Sequence, residues 1–353
     1  MEKNYSRKAV VLWLALVCLS LLAMIAVGGI TRLTGSGLSI VDWNPIMGAI
    51  PPLTHQEWVD AFEKYKLFPQ YRLTHYHLDL EAFKGIFFWE YLHRLLGRLI
   101  GVIFALPFVF FLAKKYFDKR LAIQLGLALL LGGSQGLLGW YMVKSGLVNK
   151  PYVSHYRLAA HLSLALFILI YLFRVILDLR GGAEAFRARN DTKALYGMSW
   201  VLVALVCVQI VFGAFMAGLH AGVGYNTFPT MNGEWIPSKI SDLSPRWLNL
   251  FENTVTIQFV HRTLGILIFA VTSWLLLRAL RSNLNPLQKK AVGLFVVLTA
   301  AQVLLGVLTL VWVVPIPLAL AHQMGATLLL LSAFWMNFTL RGSDVPATKE
   351  LAY

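Results

Sequence analysis

The stretch Glu90-Tyr-Leu-His93-Arg94-Leu-Leu-Gly97 decides the fold, because it returns later in the chain as Gln258-Phe-Val-His261-Arg262-Thr-Leu-Gly265. Each copy lies in an apolar segment and is followed by a second short motif with a histidine. This second motif reads Ala159-Ala-His161-Leu in the first half and Leu320-Ala-His322-Gln in the second. Two motifs that recur in the same order indicate an internal repeat that covers both halves of the chain.

The composition places this repeat in a lipid bilayer. Of the 353 residues, 58% are hydrophobic and 14% are charged, whereas a soluble domain has roughly 45 to 50% apolar and about 25% charged residues. These values exclude a soluble fold and a disordered chain. A membrane-spanning helix needs about 20 mostly apolar residues. Eight stretches reach this length, with approximate limits 9–30, 86–112, 121–143, 155–177, 195–219, 251–279, 291–314 and 317–340.

Eight spans divide evenly between the two copies of the repeat. Because four is an even number, both halves enter the membrane from the same side, and parallel repeats are related by a pseudo-two-fold axis along the membrane normal. The predicted fold is an all-α integral membrane protein of two parallel four-helix bundles, at 1–180 and 190–353. The outward loops support the repeat, since Asp-Trp-Asn-Pro-Ile-Met-Gly at 42–48 parallels Asn-Thr-Phe-Pro-Thr-Met-Asn-Gly at 226–233.

The distribution of positive charge predicts the orientation. Of the 31 Lys and Arg residues, 18 lie at the two termini and in, or within a few residues of, the second, fourth and sixth connections between spans. By the positive-inside rule, these segments and both termini are cytoplasmic. The net charge of +14 therefore describes topology and does not indicate a nucleic-acid partner. The first span is long for a signal peptide and lacks a clear cleavage site, so we expect an uncleaved anchor in a bacterial inner membrane.

One histidine lies in each of the second, fourth, sixth and eighth spans, namely His93, His161, His261 and His322. Each follows the start of its span by about five to ten residues, which places all four imidazoles in one layer about 8 to 15 Å below the outer surface. A single intramembrane histidine is more often a hydrogen-bonded core residue or a proton relay. Four at matching depth, with no carboxylate or thiolate in either pair to complete a zinc site, favour paired axial ligation of heme iron.

Other residues near these histidines fit either a heme pocket or a simpler structural role. Arg94 and Arg262 directly follow a histidine, and each guanidinium would either anchor a heme propionate or extend to lipid headgroups. His155 and Arg157, at the entrance of the fourth span, have the same two interpretations. Three glycines near the histidine faces would let the macrocycle, or merely a neighbouring helix, come close; they are Gly97, Gly101 and Gly265.

The two halves differ three residues before the first histidine of each, where Glu90 stands in the N-terminal half and Gln258 in the C-terminal half. A residue at i−3 shares the helix face of the histidine, so Glu90 is expected to point toward the same pocket. A carboxylate in a membrane is costly and suggests a function by default. An ion pair with Arg94 at i+4 is the structural alternative. The difference predicts that the N-terminal half performs the chemistry.

The outward loop at about 31–85 is longer than its counterpart at about 220–250, and we expect it to act as a lid over the first pocket. It contains two tryptophans and three histidines, at Trp43, Trp58, His55, His75 and His77. His75-Tyr-His77 has a spacing seen in metal sites, but loop histidines without further ligands are mostly solvated. His220, at the end of the fifth span, is ambiguous in the same way.

Two cysteines, Cys18 and Cys207, fall inside the first and fifth spans. Because no cysteine lies in an outward loop, neither a disulfide framework nor a thiolate metal site is supported. We interpret both as packing residues.

These features resemble the heme A synthase family, the membrane enzymes that convert heme O to heme A for cytochrome oxidases. The resemblance covers nearly the whole chain: eight spans in two repeats, the Glu-x-x-His-Arg element at Glu90 to Arg94, and the later histidines His161, His261 and His322. Some bacterial members carry a cysteine pair in the first outward loop, which this chain lacks. It is therefore similar to the cysteine-free subgroup of proteobacteria and mitochondria.

The resemblance implies an oxidoreductase that converts the methyl group at porphyrin position 8 to a formyl group by successive hydroxylations, the second giving a gem-diol that loses water. It implies that His93 and His161 bind the iron of the substrate or product heme, heme O or heme A. It also implies that His261 and His322 ligate a heme b that passes electrons. Glu90 matches the essential carboxylate of the family, either to stabilise positive charge on the methyl carbon or to activate the oxygen nucleophile.

The implied partners are a heme O synthase that supplies the substrate, an unidentified membrane electron carrier, the lipid bilayer and possible further copies of the chain. Two other functions compete with a synthase. A di-heme b-type cytochrome explains the four histidines but not the difference between Glu90 and Gln258. A secondary transporter predicts broken helices and a site at the membrane midplane, whereas these histidines are expected near the outer face.

Overall fold

A computed structural model of the chain describes residues 2–41, 48, 50–146, 151–181 and 192–341, without the side chains of 2–6 and 146. Within these residues, eight helices are long and apolar enough to cross a membrane. They are α1 (Glu2–Leu33), α3 (Leu80–Ala113), α4 (Lys119–Gly146), α5 (His155–Leu179), α6 (Lys193–Gly218), α8 (Thr254–Leu280), α9 (Pro286–Val311) and α10 (Ile316–Leu340). Two shorter helices, α2 (His55–Lys66) and α7 (Asn249–Glu252), lie in the connections. The prediction of an all-α membrane protein with eight spans is confirmed; the arrangement of the two repeats stays a prediction.

Two helix limits differ from the predicted ones for local reasons. The α3 helix begins at Leu80, not near residue 86, because the Asp79 side chain accepts a hydrogen bond from the Ala82 N–H at 2.8 Å and caps the helix there. The α9 helix ends at Val311, not near residue 314, because Val313 and Val314 both have φ of +59°. A left-handed backbone cannot continue a right-handed helix.

The first outward loop is more structured than predicted. Thr54 and Glu57 form a capping box that starts α2, and a π-helical turn follows at Tyr71–His75. A cluster of aromatic side chains packs α2 against the start of α3, and its buried members are Phe62, Tyr65, Phe83 and Phe87. The loop therefore has a small hydrophobic core of its own.

The second outward loop is held to the start of α8 by two asparagines. Asn253 caps α8 by accepting from the Val255 and Thr256 backbone N–H groups, and its amide donates to the Lys239 carbonyl at 2.9 Å. Asn249 donates to the Leu243 carbonyl at 2.9 Å and accepts from its N–H at 3.0 Å. Buried amides that satisfy backbone groups in both directions fix an irregular loop without strands or long helices.

The chain divides into two compact units, Met1–Phe173 with Ala217–His220, and Arg174–Met216 with Ala221–Tyr353. In the first, the Trp13 indole of α1 donates to the Ile103 carbonyl of α3 at 2.8 Å. In the second, the Asn337 amide of α10 donates to Ser199 Oγ of α6 at 2.9 Å. The functional halves at 1–180 and 190–353, one for substrate heme and one for heme b, stay a prediction.

Candidate functional site

The four predicted histidines lie in the four helices expected. His161, His261 and His322 are six, seven and six residues after the first residues of α5, α8 and α10. His93 is thirteen residues after Leu80, so the expected distance from the helix start is wrong for this one residue. The reason is the early start of α3, whose first two turns carry Glu81 and Lys84 as an exposed ion pair.

Each of these imidazoles packs against a glycine on another helix. A Cβ atom built at Gly28, Gly139, Gly213 or Gly306 would lie 3.0, 3.0, 3.2 or 2.9 Å from Cε1 of His93, His161, His261 or His322, respectively. Real Cβ atoms seldom come so close to another atom. The Cε1 edge of each ring therefore lies close to the backbone of α1, α4, α6 or α9.

Three of the imidazoles are also contacted by a glutamine four residues before that glycine. Gln135 Nε2 donates to the His161 carbonyl at 3.0 Å and lies 3.3 Å from its ring Nε2. Gln209 does the same at His261, at 2.9 and 3.3 Å. Gln302 donates to the His322 carbonyl at 2.8 Å and lies 3.1 Å from Nδ1. Each of these three histidines is thus contacted by both residues of a Gln-x-x-x-Gly element: the glutamine binds its carbonyl and faces its ring, and the glycine packs against the ring.

His93 is the exception, because Met24 occupies the glutamine position four residues before Gly28. The methyl carbon of Met24 lies 3.1 Å from a Cβ built at Gly97, where in the other half Gln209 Nε2 lies 3.5 Å from a Cβ built at Gly265. The two side chains therefore occupy matching positions. They also explain Gly97 and Gly265 as packing positions, whereas nothing lies within 4 Å of a Cβ at Gly101.

The donor set fits axial ligation of a heme iron. The rings of His261 and His322 are 6.4 Å apart, centroid to centroid, at 77° to one another. Nδ1 of His93, His161 and His261 is buried without a hydrogen-bond partner among the described residues. In the same part of the chain, no three His, Cys, Asp or Glu side chains come together as a metal site. Paired imidazoles with buried, unpartnered nitrogens suit iron that a macrocycle supplies with its other ligands.

Glu90 is buried, with 3% of its surface exposed, and its carboxylate is bound by the first outward loop. Oε2 accepts from Ser39 Oγ and from the Ile40 backbone N–H, both at 2.8 Å. Oε1 accepts from Arg94 at 2.7 Å. The ion pair that was the structural alternative is therefore present. The bonds from Ser39 and Ile40 to the same carboxylate join the start of the loop to the helix that carries His93.

Gln258 is equally buried but uses the opposite hydrogen-bonding polarity. Its amide nitrogen donates to the carbonyls of Gly224 at 2.7 Å and Ala221 at 3.3 Å. At Glu90 the loop presents donors, and at Gln258 it presents carbonyl acceptors. The difference between the two halves is thus built into both loop backbones as well as into the two side chains.

The two arginines bind loop carbonyls. Arg94 donates to the Ile40 carbonyl at 2.7 Å, and Arg262 donates to the Thr227 carbonyl at 2.6 Å and to three others nearby. Both predicted roles, propionate binding and contact with lipid headgroups, stay predictions. Of the lesser candidates, His155 is buried, and the Arg157 guanidinium lies 4.8 Å from the centroid of the Tyr141 ring.

The loop histidines have separate roles. His75 Nδ1 lies 2.7 Å from the Tyr65 hydroxyl, and burial, followed by the nearby His77, lowers the His75 pKa. His220 Nδ1 lies 3.4 Å from Arg32, and burial lowers its pKa, with a smaller effect of the Arg32 charge. His55 and His77 are exposed.

The cysteines and the described loop tryptophan noted in the sequence lie on α1, α6 and α2. Cys18 and Cys207 are free cysteines on α1 and α6. Trp58 packs on Phe87 at 4.9 Å between ring centroids. Trp43 and the rest of the segment 42–47 lie outside the described residues.

The sequence reasoning missed the glutamines and the glycines that contact the imidazoles. A readable signal existed, since Gln-x-x-x-Gly occurs at Gln135, Gln209 and Gln302, each time in the span before a histidine-bearing span. A single glutamine or glycine in an apolar helix is common. Only the threefold recurrence at one spacing distinguishes these residues.

The fold and the site together define a multi-pass helical membrane protein with paired intramembrane histidines. Residues 11–334 match the family COX15-CtaA, described as cytochrome oxidase assembly protein. Three curated relatives, each called heme A synthase, come from Nitrosospira multiformis, Wolbachia pipientis and Rhodospirillum centenum. Their identities to this chain are 46, 44 and 46%, over 96, 95 and 96% of its length and 96, 98 and 90% of theirs. The chain belongs to the COX15-CtaA family, and the resemblance to heme A synthases is confirmed.

Proposed function

We propose that this protein is a membrane oxidoreductase that makes heme A for cytochrome oxidase by oxidising the position 8 methyl group of heme O to a formyl group. Relatives called heme A synthase support it, since they match about 95% of the chain at 41 to 46% identity. The observation that carries it is the asymmetry at Glu90. The two halves have matching His–Gly contacts, but the first has the buried carboxylate of Glu90 where the second has the buried amide of Gln258. Such a difference is expected if the first half carries out the reaction and the second transfers electrons.

In this proposal, His93 and His161 bind the iron of heme O, and His261 and His322 bind heme b. Heme b, when bound, supplies one-electron transfer. The protein contributes the orientation of the imidazoles, through Gly213 and Gln209 at His261 and through Gly306 and Gln302 at His322. Groups that orient ligating histidines are typically worth about 10 to 100-fold in metal affinity.

Glu90 is the proposed catalytic carboxylate. It lies one helical turn from His93 toward the outward loop, and Ser39, Ile40 and Arg94 hold its two oxygens in place. A fixed carboxylate in a water-poor site can stabilise positive charge that develops on the methyl carbon or direct an incoming oxygen nucleophile. The first outward loop then has two tasks: it positions Glu90, and its aromatic core covers that side of the pocket.

The proposed setting is the inner membrane of a bacterium, with both termini in the cytoplasm and the histidines toward the outer face. The proposed partners are a heme O synthase and a membrane electron carrier. The support is the asymmetry of charge between the connections, which follows the positive-inside rule.

The experiment is replacement of Glu90 by Gln in the full-length protein, expressed together with a heme O synthase. We expect heme A, measured by extraction and chromatography, to disappear while heme b remains bound, because Gln has the size of Glu without its charge, and the proposed heme b ligands His261 and His322 lie on other helices. The control is Glu81→Gln, an exposed carboxylate on the same helix. Normal heme A levels in Glu90→Gln would refute the catalytic role. Loss of heme b together with heme A would assign Glu90 to structure alone.

A further inference from the structure

The four histidine sites differ in one respect that the proposed function does not use. Three have a glutamine that contacts the ring and the backbone of the histidine, and the fourth has a methionine. Along the repeat, Gln135 matches Gln302, so the only break in this pattern is Met24 opposite Gln209. This break and the change from Gln258 to Glu90 both fall at His93.

We propose that His93 is the labile ligand of the substrate iron and His161 the permanent one, with Met24 and Gln135 as the positioning residues that set this difference. The inference rests on the proposed function, in which these two histidines bind heme O. It concerns which of the two imidazoles leaves the iron to open a coordination position.

The chemistry of the two side chains carries the argument. Each of the three glutamines brings amide N–H donors to its histidine, and Nε2 of Gln135 lies 3.0 Å from the His161 carbonyl and 3.3 Å from the ring Nε2. The Oε1 atoms of Gln135, Gln209 and Gln302 are buried without a partner among the described residues. The thioether of Met24 carries no donor and is only a weak acceptor, so His93 lacks this support.

The backbone contact adds to the difference. Gln135 bridges α4 to α5 through the His161 carbonyl at 3.0 Å, and this bond fixes the helix segment that carries the ring. Met24 offers no donor to the His93 carbonyl. His93 packs against Gly28, and its Nδ1 is buried without a hydrogen-bond partner in the described part of the chain. An imidazole that no glutamine binds can rotate away without breaking such a hydrogen bond.

Methionine and glutamine have similar length and shape, so the two positions can be exchanged with little change in packing. The variants are Met24→Gln, which supplies the missing glutamine contact at His93, and Gln135→Met, which removes the glutamine contact at His161. Met24→Leu and Gln209→Met are the controls, the latter acting only on the C-terminal pair. The measurement is the rate at which purified full-length protein loses heme O to excess apomyoglobin, with heme O and heme b separated by chromatography.

We expect Met24→Gln to slow the loss of heme O and Gln135→Met to accelerate it, each by about threefold to tenfold, the effect of one hydrogen bond. Met24→Leu should match the wild type, and Gln209→Met should accelerate the loss of heme b only. His161→Ala should lose heme O at least about tenfold faster than His93→Ala. The reason is that His93→Ala removes only the ligand that already dissociates, whereas His161→Ala removes the permanent one. Bound heme b and the melting temperature report folding in the variants of the N-terminal pair, and the melting temperature alone reports it in Gln209→Met.

Equal heme O retention in His93→Ala and His161→Ala would overturn the inference, as would a Met24→Gln variant that behaves like Met24→Leu. The proposed function fails separately, if the wild-type protein forms no heme A when heme O is supplied. Wild-type protein that makes heme A but loses heme O equally from both histidine variants would leave the function intact and reject the assignment of His93.

Discussion

At the scale of single residues, a glycine on a neighbouring helix helps to position each of the four imidazoles. The glycines at 28, 139, 213 and 306 let the rings approach a neighbouring helix backbone, where a methyl group would fit only if the ring shifted. Ligand rings must be held in a narrow range of orientations for a site to be preorganised. These glycines are therefore as much part of the site as the histidines that they face.

Replacing Gly213 or Gly306 by Ala should weaken heme b binding. The new methyl group would lie 3.2 Å from Cε1 of His261 or 2.9 Å from Cε1 of His322 and push the ring aside. We expect the affinity for heme b to fall by about tenfold or more, as for other changes that misorient a ligand. The measurement is heme b content and its rate of transfer to apomyoglobin.

Gly293→Ala is the matched control for Gly306→Ala, because both glycines lie on α9 and nothing is within 4 Å of a Cβ at Gly293. Heme b content should be unchanged there, and the higher helix propensity of Ala should not lower the melting temperature. Equal heme content in Gly306→Ala and Gly293→Ala would contradict the proposed role of the glycine.

The histidines and Glu90 could be predicted because each is costly in an apolar helix and stands out against it. Gln135, Gln209 and Gln302 carry no charge, and α4 and α9 each contain a second glutamine, Gln124 and Gln288, from which they do not stand out. Their partners are on other helices, so their role depends on the packing of helices, which a periodic pattern along one helix does not specify. The hydrogen bonds of Glu90 to Ser39 and Ile40 could not be predicted for the same reason, since they depend on the path of a loop.

At the scale of secondary-structure elements, the first outward loop is held by a directed chain of hydrogen bonds. The Gln70 amide donates to the Gly35 carbonyl at 2.8 Å, and Tyr65 donates to Gln70 Oε1 at 3.0 Å. His75 Nδ1 therefore donates to the Tyr65 oxygen at 2.7 Å, because the only hydroxyl proton is already used. Burial, followed by the charge of Glu90, raises the Tyr65 pKa. The phenol thus stays neutral, and the chain joins α2, the π-helical turn and the end of α1.

The stability of this loop should depend on pH through His75. Burial holds the His75 pKa below its ordinary value, so the unfolded chain binds a proton first as the pH falls. The stabilisation is fully present above about pH 6.5 and is lost as the pH falls from there toward the lower pKa of the folded state. We expect the melting temperature of the purified protein to fall between pH 7.5 and 5.5, and to fall less in His75→Gln.

His55→Gln serves as the control, since His55 is an exposed residue at the start of α2. Its melting temperature should fall with pH as in the wild type. If His75→Gln and His55→Gln respond identically, the pH dependence comes from other groups, and the proposed contribution of His75 is wrong.

The sequence analysis predicted the eight spans but not the elements between them. Apolar stretches identify a membrane helix by length, whereas α2 is amphipathic and short. The Thr54-x-x-Glu57 capping box that starts α2 was readable in principle. The left-handed residues Val313 and Val314 were not, because valine disfavours that conformation and only the packed structure imposes it.

At the scale of the whole molecule, charge and hydrophobicity point to one orientation. The described spans carry exposed apolar side chains such as Leu12 at 71%, Leu130 at 71% and Leu280 at 74% exposure, as expected for surfaces that face lipid. An even number of spans predicts that both termini lie on one side, and 18 of the 31 basic residues are on that predicted side. The first outward loop and the imidazoles are predicted to lie on the opposite side.

Labelling of single cysteines tests this orientation. The chain has only Cys18 and Cys207, so Cys18→Ala with Cys207→Ala gives a cysteine-free background. Into it we would introduce Glu63→Cys and Lys239→Cys, in the two outward loops, and Lys119→Cys and Lys289→Cys, near the starts of α4 and α9; all four positions are exposed. A membrane-impermeant maleimide applied to spheroplasts should label the first two, and it should label the other two only after the membrane is opened. The predicted orientation rests on the charge in short loops, which sets the orientation of membrane helices. Labelling of position 119 or 289 in sealed spheroplasts would show that the opposite orientation is correct and that the histidines lie toward the cytoplasm.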